Sequence, residues 1–377
     1  MSAVADARLD FSRAEYTARV ERLREHMRSW DADVLLVDQL DHVAWLFGYL
    51  PTAARYQACL LPLDGEPHMI VRELDLPTFL TQSWVESYEA YPDWEDPMAR
   101  VASALRLRTD GRPAVEMDSN MLTVARMNGL CRELSHVDWV DFSGVIWEQR
   151  LIKSPSEIAY LTRAGEIATA CVMAGAKAVR EGGYEREPAI AAYAKALGLG
   201  ADNGRVALFG YGTTIDNMHG RLGTRRLGRG ETYFVEGVPQ VRGYSARTVR
   251  PIAIGAPTPD RAALAARLVE IQDAQISALV PGARAEEVDA LCRNAVLRDG
   301  IKTSFPQLTG YTLGYHAVPR TSDHTRIFAP GQDWNVEVDM VFHMMLFADG
   351  LPFSETIHVT PEGPRRLTGL PRELIVR

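Results

Sequence analysis

Cysteine is scarce and scattered: Cys59, Cys131, Cys171 and Cys292 are the only four in 377 residues. No two form a Cys-x-x-Cys pair, and the four read as buried thiols, neither a disulfide framework nor a zinc site. Long apolar runs are missing as well, and no stretch reaches the ~20 residues that cross a bilayer. The opening MSAVADARLD carries acidic residues and no apolar core, which reads as neither a signal nor a transit peptide. Basic runs are absent and the net charge is −8, which leaves no electrostatic footprint for nucleic acid or an anionic membrane. The expectation is a cytoplasmic globular protein with neither kind of partner.

What the chain does have is apolar residues, 46% of the total, enough to fill a sizeable core in two domains. Ser12 to Glu15 reads as a capping box opening an amphipathic helix with Tyr16, Val20, Leu23 and Met27 on one stripe. Strands are expected at Val34 to Val37, in a hairpin from Tyr56 to Pro62 and His68 to Val71 around Asp64-Gly65, and at Ala114 to Met117 and Val137 to Val140. Residues 1–148 thus read as a small mixed α/β domain. Ser154-Pro155-Ser156-Glu157 then supplies a capping serine, a proline at the first helical position and a glutamate at the third. This marks a second domain, 149–377. Helix pairs are expected at 155–180 with 186–197, and at 259–280 with 285–298. Between and after them come strands at 206–210, 232–253, 338–346 and 355–360. This pattern predicts α+β architecture, with helices covering one face of a curved antiparallel sheet.

The stretch from Asn217 to Arg250 concentrates the candidate chemistry. Thr232 to Val235 is a short apolar run that ends in Glu236, a carboxylate at the end of a buried strand, where an unpaired charge is costly. His219, on the Gly-flanked loop before it, is the nearest candidate partner in sequence. A structural ion pair between Glu236 and one of the nearby arginines is the alternative.

The segment Leu151-Ile152-Lys153-Ser154-Pro155-Ser156-Glu157-Ile158 resembles the domain-opening motif of the creatinase/aminopeptidase P superfamily. Further landmarks of that family follow in order: His219, Glu236, Gly243-Tyr244 with Arg250, Gly310 to Gly314, and Glu355-Thr356. The resemblance implies a pita-bread fold for the C-terminal domain. Metal-dependent members hold two divalent cations with two aspartates, a histidine and two glutamates. Aligned on Gly243-Tyr244 and Arg250, those positions fall on Glu236, Arg247, Tyr311, about Met345, and Glu355. A guanidinium, a phenol and a thioether are poor company for hard cations, so no metal and no cofactor is expected.

Among metal-independent members, creatinase keeps a histidine where this chain has Tyr311. Ectoine hydrolases look closer: Thr309-Gly310-Tyr311-Thr312-Leu313-Gly314, Phe342-His343-Met344-Met345 and Pro371-Arg372-Glu373-Leu374 resemble their motifs, whereas Tyr315 to Arg320 and Leu50 to Arg55 do not. The implied activity is hydrolysis of a non-peptide C–N bond in a small zwitterionic amidine, guanidine or amide. Either Glu236 or Glu355 attacks the electrophilic carbon or holds the attacking water, and the same resemblance favours Glu236 as the nucleophile. Glu355 shares in holding a cationic substrate, and His219 transfers the proton, since an unperturbed imidazole titrates near neutrality. Tyr311 and His343 would orient the substrate. Arg247 would pair with Glu236 or meet a substrate carboxylate. Arg55 or Arg320 would clamp that carboxylate, and in creatinase one such arginine comes from the partner subunit, which implies a homodimer here. His316, Asp323 and His324 read as a polar loop at the pocket mouth. A metal-dependent Xaa-Pro aminopeptidase and an inactive peptide-binding module remain the rival readings.

Overall fold

Ser12 opens the first helix, α1 (Arg13–Ser29), its side chain accepting from the Glu15 amide. Tyr16, Val20, Leu23 and Met27 form the buried stripe, so the expected amphipathic spacing does seat this helix. The computed structural model describes residues 9–51, 55–202, 211–212, 222–317 and 322–377, with backbone alone at 211–212. The chain divides into two compact units, Met1–Gln149 and Arg150–Arg377.

The first unit is built on a mixed sheet in the order β4-β3-β2-β1-β5-β6. Its strands are β1 (Val34–Val37), β2 (Ala58–Pro62), β3 (His68–Arg72), β4 (Ser87–Tyr91), β5 (Pro113–Val115) and β6 (Val140–Asp141). β2 joins β1 and β3 antiparallel, while β5 joins β1 and β6 parallel. The last two strands are shorter than or shifted from their expected ranges. Among the helices absent from the sequence expectation are α2 (Leu40–Phe47), α3 (Leu76–Gln82) and α4 (Pro97–Arg106). α2 is buried at every position from Asp41 to Phe47. Its eight residues bury Asp41 and His42 along with the apolar side chains, so the pattern does not mark off a solvent face. α4 does carry a start signal, since the Asp96 side chain accepts from the Met98 amide with Pro97 beside it.

Where β1 ends, a buried polar cluster forms. Asp38 is 2% exposed, and Tyr56 donates to its Oδ2 at 3.0 Å. Burial pushes this carboxyl up to about 6, with Glu116 adding to the effect and Ser119 and Tyr56 opposing it. Glu116 in turn stands 2.8 Å from His42 Nε2.

The second unit opens with buried Lys153, whose Nζ donates to the carbonyls of Arg150 at 2.6 Å and Leu151 at 2.9 Å. The capping box of Ser154 and Glu157 then starts α7 (Pro155–Ala178); α5 (Val124–Glu133) and α6 (Val145–Gln149) belong to the first unit. The remaining helices are α8 (Arg186–Gly198), α9 (Pro259–Ser277) and α10 (Ala285–Arg298). Both expected helix pairs are present.

They cover a nine-stranded sheet, counted among the described residues, in the order β13-β12-β14-β15-β11-β8-β7, with β16 and β17 paired to β15 and β11. These strands are β7 (Tyr211–Gly212), β8 (Thr232–Gly237), β11 (Thr248–Ala253), β12 (Gly310–Thr312), β13 (Ile327–Phe328), β14 (Val341–Ala348), β15 (Leu351–Thr360), β16 (Gly363–Arg366) and β17 (Ile375–Val376). A two-stranded ribbon, β9 (Gln240–Val241) with β10 (Tyr244–Ser245), stands apart. The strand expected at 206–210 lies outside the described residues. β15 starts four residues before the expected Glu355, at the Asp349-Gly350 turn, where both φ values are positive, 47° and 70°, as a tight hairpin demands.

Register fixes which side chains share a face, because directly paired residues point the same way and neighbours along a strand alternate. Glu236 pairs with Val249, Val249 with Ser354, and Ser354 with Met345. Two residues further along, Tyr311 pairs with His343, and His343 with Thr356. These residues line the face away from the helices. The opposite face carries Val235, Met344, Phe353 and Ile357, each packed in a helix-side core cluster. Gly237 lets α7 lie close to β8, since a Cβ there would come within 2.5 Å of Cys171 Sγ. Gly243 has φ +78°, and a Cβ would fall 2.1 Å from the Tyr315 ring, so only glycine fits. Next to it, Tyr244 donates to Glu157 Oε1 at 2.5 Å, which joins the Gly-Tyr turn to the capping box.

Gly243→Ala should destabilise the chain by about 3 kcal/mol, combining the left-handed conformation with overpacking, as read by urea denaturation. Asp38 binds its proton more tightly folded than unfolded, so its contribution is complete below pH 3.8 and is lost as pH rises through about 6. Asp38→Asn should therefore gain stability over the parent between pH 4 and 8, by on the order of 3 kcal/mol, in denaturation midpoints taken across that range. A parallel pH dependence in both proteins would overturn the assignment.

Candidate active site

Arg247 stands at the centre of the face away from the helices. Its Nε and Nη2 donate to Glu236 Oε1 at 3.0 and 2.7 Å, and its Nη1 donates to the Tyr311 hydroxyl at 2.7 Å and to Ser322 Oγ at 3.4 Å. Its backbone is clipped in place too: its amide donates to Thr356 Oγ1 at 2.8 Å, and its carbonyl accepts from the same hydroxyl at 2.9 Å. Burial works against charge on this guanidinium, but the Glu236 carboxylate and the Tyr311 oxygen outweigh it and hold the group above its ordinary range. Glu236 Oε2 accepts no hydrogen bond among the described residues. The expected alternative of a Glu236–arginine pair is thus the observed arrangement. His219, the other expected partner, lies outside the described residues, as does Arg320.

Tyr311 carries the arrangement one step further. Its hydroxyl is 2.8 Å from His343 Nδ1, and its ring lies 4.3 Å from that of His324, centroid to centroid. Burial raises the phenol above its usual range, against the pull of Arg247. Burial, with Arg247 and His324 adding to it, drives His343 well below the usual imidazole range. His343 is therefore a neutral ring at neutral pH.

The loop that brings Ser322 and His324 to this cluster is anchored underneath. Asp323 is buried, accepts from the Thr312 hydroxyl and from the Thr325 amide at 3.2 Å, and faces Lys153. Burial would raise Asp323, but Lys153, Arg150 and Thr312 prevail and keep it low. The polar loop expected at a pocket mouth is thus divided: His324 is exposed, whereas Asp323 and His316 are buried. Lys153, part of the domain-opening motif, supports the site from below.

Glu355 does not join Glu236. It pairs with Met344 in register, which puts it on the helix-covered face. There its Oε1 meets Arg250, then Arg372 at 3.2 Å and Arg366 at 3.6 Å, while Oε2 accepts from Thr368. Arg250, fully buried, also holds the chain's C-terminal segment through the carbonyls of Pro371 at 2.7 Å and Leu370 at 3.3 Å. Burial takes Arg250 below the usual guanidinium range despite Glu355. The expected role of Glu355 in holding substrate is corrected to that of a structural anchor. Ser354 occupies the corresponding slot in Glu236's row, and like Ser322 it is a residue the sequence reading missed. Counting by two from Thr356 would have found it, had the strand been started at Leu351.

Arg55 belongs to the first unit and is engaged by Asp93, whose carbonyl and carboxylate it meets. With Tyr56, Asp96, Arg126 and Arg132 it lines a cavity of about 340 Å³. Met345 shares the Glu236 row and is the one partly exposed residue of β14.

Residues 159–361 match metallopeptidase family M24, and residues 19–152 match the creatinase/prolidase N-terminal domain. The chain belongs to family M24. It is 26% identical over 395 residues to an ectoine hydrolase of Halomonas elongata, covering 98% of this chain and 99% of that one. It is 25% identical over 373 residues to an Xaa-Pro dipeptidase of Pyrococcus horikoshii, covering 95% and 98%. The solved prolidase of Pyrococcus horikoshii superposes with a TM-score of 0.82 at 23% identity, covering 95% of this chain and 100% of that one. The M24 chain thus has the two-domain pita-bread fold expected from its motifs. The family's metal pair is a separate matter, because the residues present do not fit it. Among the described residues no group of three His, Cys, Asp or Glu side chains is arranged to hold a metal ion, and the guanidinium of Arg247 occupies the ground between Glu236 and Tyr311.

Glu355→Gln should cost the M24 chain about 3–5 kcal/mol, since it strips a fully buried arginine of its carboxylate. Urea unfolding measures this, and a loss below about 1 kcal/mol, the scale of an exposed pair, would contradict the anchoring role.

Proposed function

We propose that this M24 protein is a metal-independent hydrolase of a non-peptide C–N bond in a small zwitterionic compound. The single observation that carries the reading is the Arg247 guanidinium among Glu236, Tyr311 and Ser322. A permanent cation there repels divalent ions and supplies fixed positive charge in their stead. The similarity to an ectoine hydrolase supports the substrate class, and the similarity to Xaa-Pro dipeptidases keeps peptide cleavage as the reading to be tested against it.

In this mechanism Arg247 binds Oε1 of Glu236 and leaves Oε2 as the reacting atom. Either Oε2 adds to the electrophilic carbon, the C–N bond breaks with a proton passing to the leaving nitrogen, and water then cleaves the bond to Glu236, or Oε2 takes the proton of a water that attacks the carbon directly as the C–N bond breaks and the nitrogen is protonated. His219 is the residue proposed to carry that proton. Tyr311 and His343 orient the substrate, and Arg320 or the Arg55 of a second copy in a homodimer meets its carboxylate.

Glu236→Gln should lower turnover of a responsive small amide, ureide or amidine by about two orders of magnitude or more, with the fold intact by circular dichroism. The parent's activity should survive exhaustive chelation, with metal content measured on the same sample. Turnover confined to X-Pro dipeptides, restored by added manganese or cobalt, would establish the peptidase reading in its place.

A further inference from the structure

Two polar atoms on the face away from the helices are buried with no hydrogen-bond partner among the described residues: His343 Nε2 and Ser354 Oγ. Both residues are fully buried. They sit on adjacent strands, one step diagonal to each other, since His343 pairs with Thr356 and Ser354 with Met345. Such neighbours on one face are within ~7–8 Å between backbones, close enough for their side chains to meet one small group. An orphaned buried polar atom is costly, and two side by side on the face that holds Glu236 point to a ligand group that satisfies both.

The hydrogen bonds decide what kind of group. Arg247 can only donate, so the Tyr311 oxygen accepts from it; the Ser322 bond favours the phenolate form, as a bond donated by the serine hydroxyl does. Both lone pairs are then used. The phenolic proton goes to the remaining neighbour, His343 Nδ1 at 2.8 Å, and a neutral imidazole that accepts at Nδ1 carries its own proton at Nε2. The pair therefore presents an N–H and a hydroxyl, both uncharged.

Resting on the hydrolase reading above, we propose that His343 Nε2 and Ser354 Oγ bind a neutral carbonyl oxygen of the substrate. The bound compound is then an amide or ureide in preference to an amidine or guanidine. A carboxylate at the same spot would compete with Glu236 for Arg247, which is already paired. An amidinium offers only N–H donors, which would face the N–H of His343.

Acetamide and acetamidinium make a matched test, being flat, equal in size and different in the one atom that matters. Protein labelled with 15N-histidine is titrated with each, and His343 is assigned by the signal lost in His343→Gln. In the free parent, Nε2 should be the protonated nitrogen, and Tyr311→Phe should relax that preference. Acetamide should shift the Nε2 resonance to saturation where acetamidinium at equal concentration does not. Ser354→Ala should weaken acetamide binding about three- to tenfold, as for loss of one neutral hydrogen bond, at an unchanged melting temperature. A proton on Nδ1 in the parent, an equal response to acetamidinium, or no effect of Ser354→Ala would each overturn the proposal. The two readings fail separately. Acetamide binding without any C–N turnover would remove the hydrolase function and leave the carbonyl site, whereas Glu236-dependent turnover restricted to amidines would do the reverse.

Discussion

The buried pair of Arg247 and Glu236 is the constraint on which the rest of the site depends. A guanidinium in low dielectric must spend its N–H groups on acceptors, and it has them in Glu236, Tyr311 and Ser322. Once they are allocated, little freedom is left. Tyr311 must accept from Arg247, its proton must go elsewhere, and His343 is held as one tautomer of a neutral ring. The loop that supplies Ser322 is pinned by Asp323, which faces buried Lys153. The motif that opens the second unit thereby acts on the site through the charge of Lys153 on Asp323.

Two buried carboxylates, Glu236 and Glu355, lie on opposite faces of one sheet and do different work. Among the described residues Glu236 keeps one oxygen uncommitted, on the face that also carries two orphaned polar atoms. Glu355 has both oxygens engaged and ties β15 to Arg250, Arg372 and Thr368. The difference is a matter of strand parity. Moving one residue along a strand carries a side chain through the sheet, so Ser354 and Glu355 exchange the roles that their letters suggest.

Much of the architecture was legible in the chain. The Ser154 to Glu157 capping box, the amphipathic stripe from Tyr16 to Met27 and the two helix pairs follow from local chemistry that tertiary packing reinforces. α2 was not legible, because it is short and buries polar Asp41 and His42 along with its apolar residues. The Asp349-Gly350 hairpin was not read from the sequence either; it fixes the register of β14 on β15, from which the correction at Glu355 follows directly. Among the site residues, Glu236, Arg247, Tyr311 and His343 are brought together, although 107 positions separate Glu236 from His343 in the sequence.

The sequence alone determined that a carboxylate ends a buried strand at Glu236, that a guanidinium stands at Arg247 where the family's metal-dependent members have a carboxylate, and that helices alternate with strands in the family's order. These are properties of residue type and spacing, and they need no third dimension. The tertiary structure decided the partners. Which arginine neutralises Glu236, which face Glu355 occupies, where the proton of His343 resides and which polar atoms are left without a bond all depend on strand register and on burial. Both arise only when distant segments pair, and a single residue of slip would reverse every one of them.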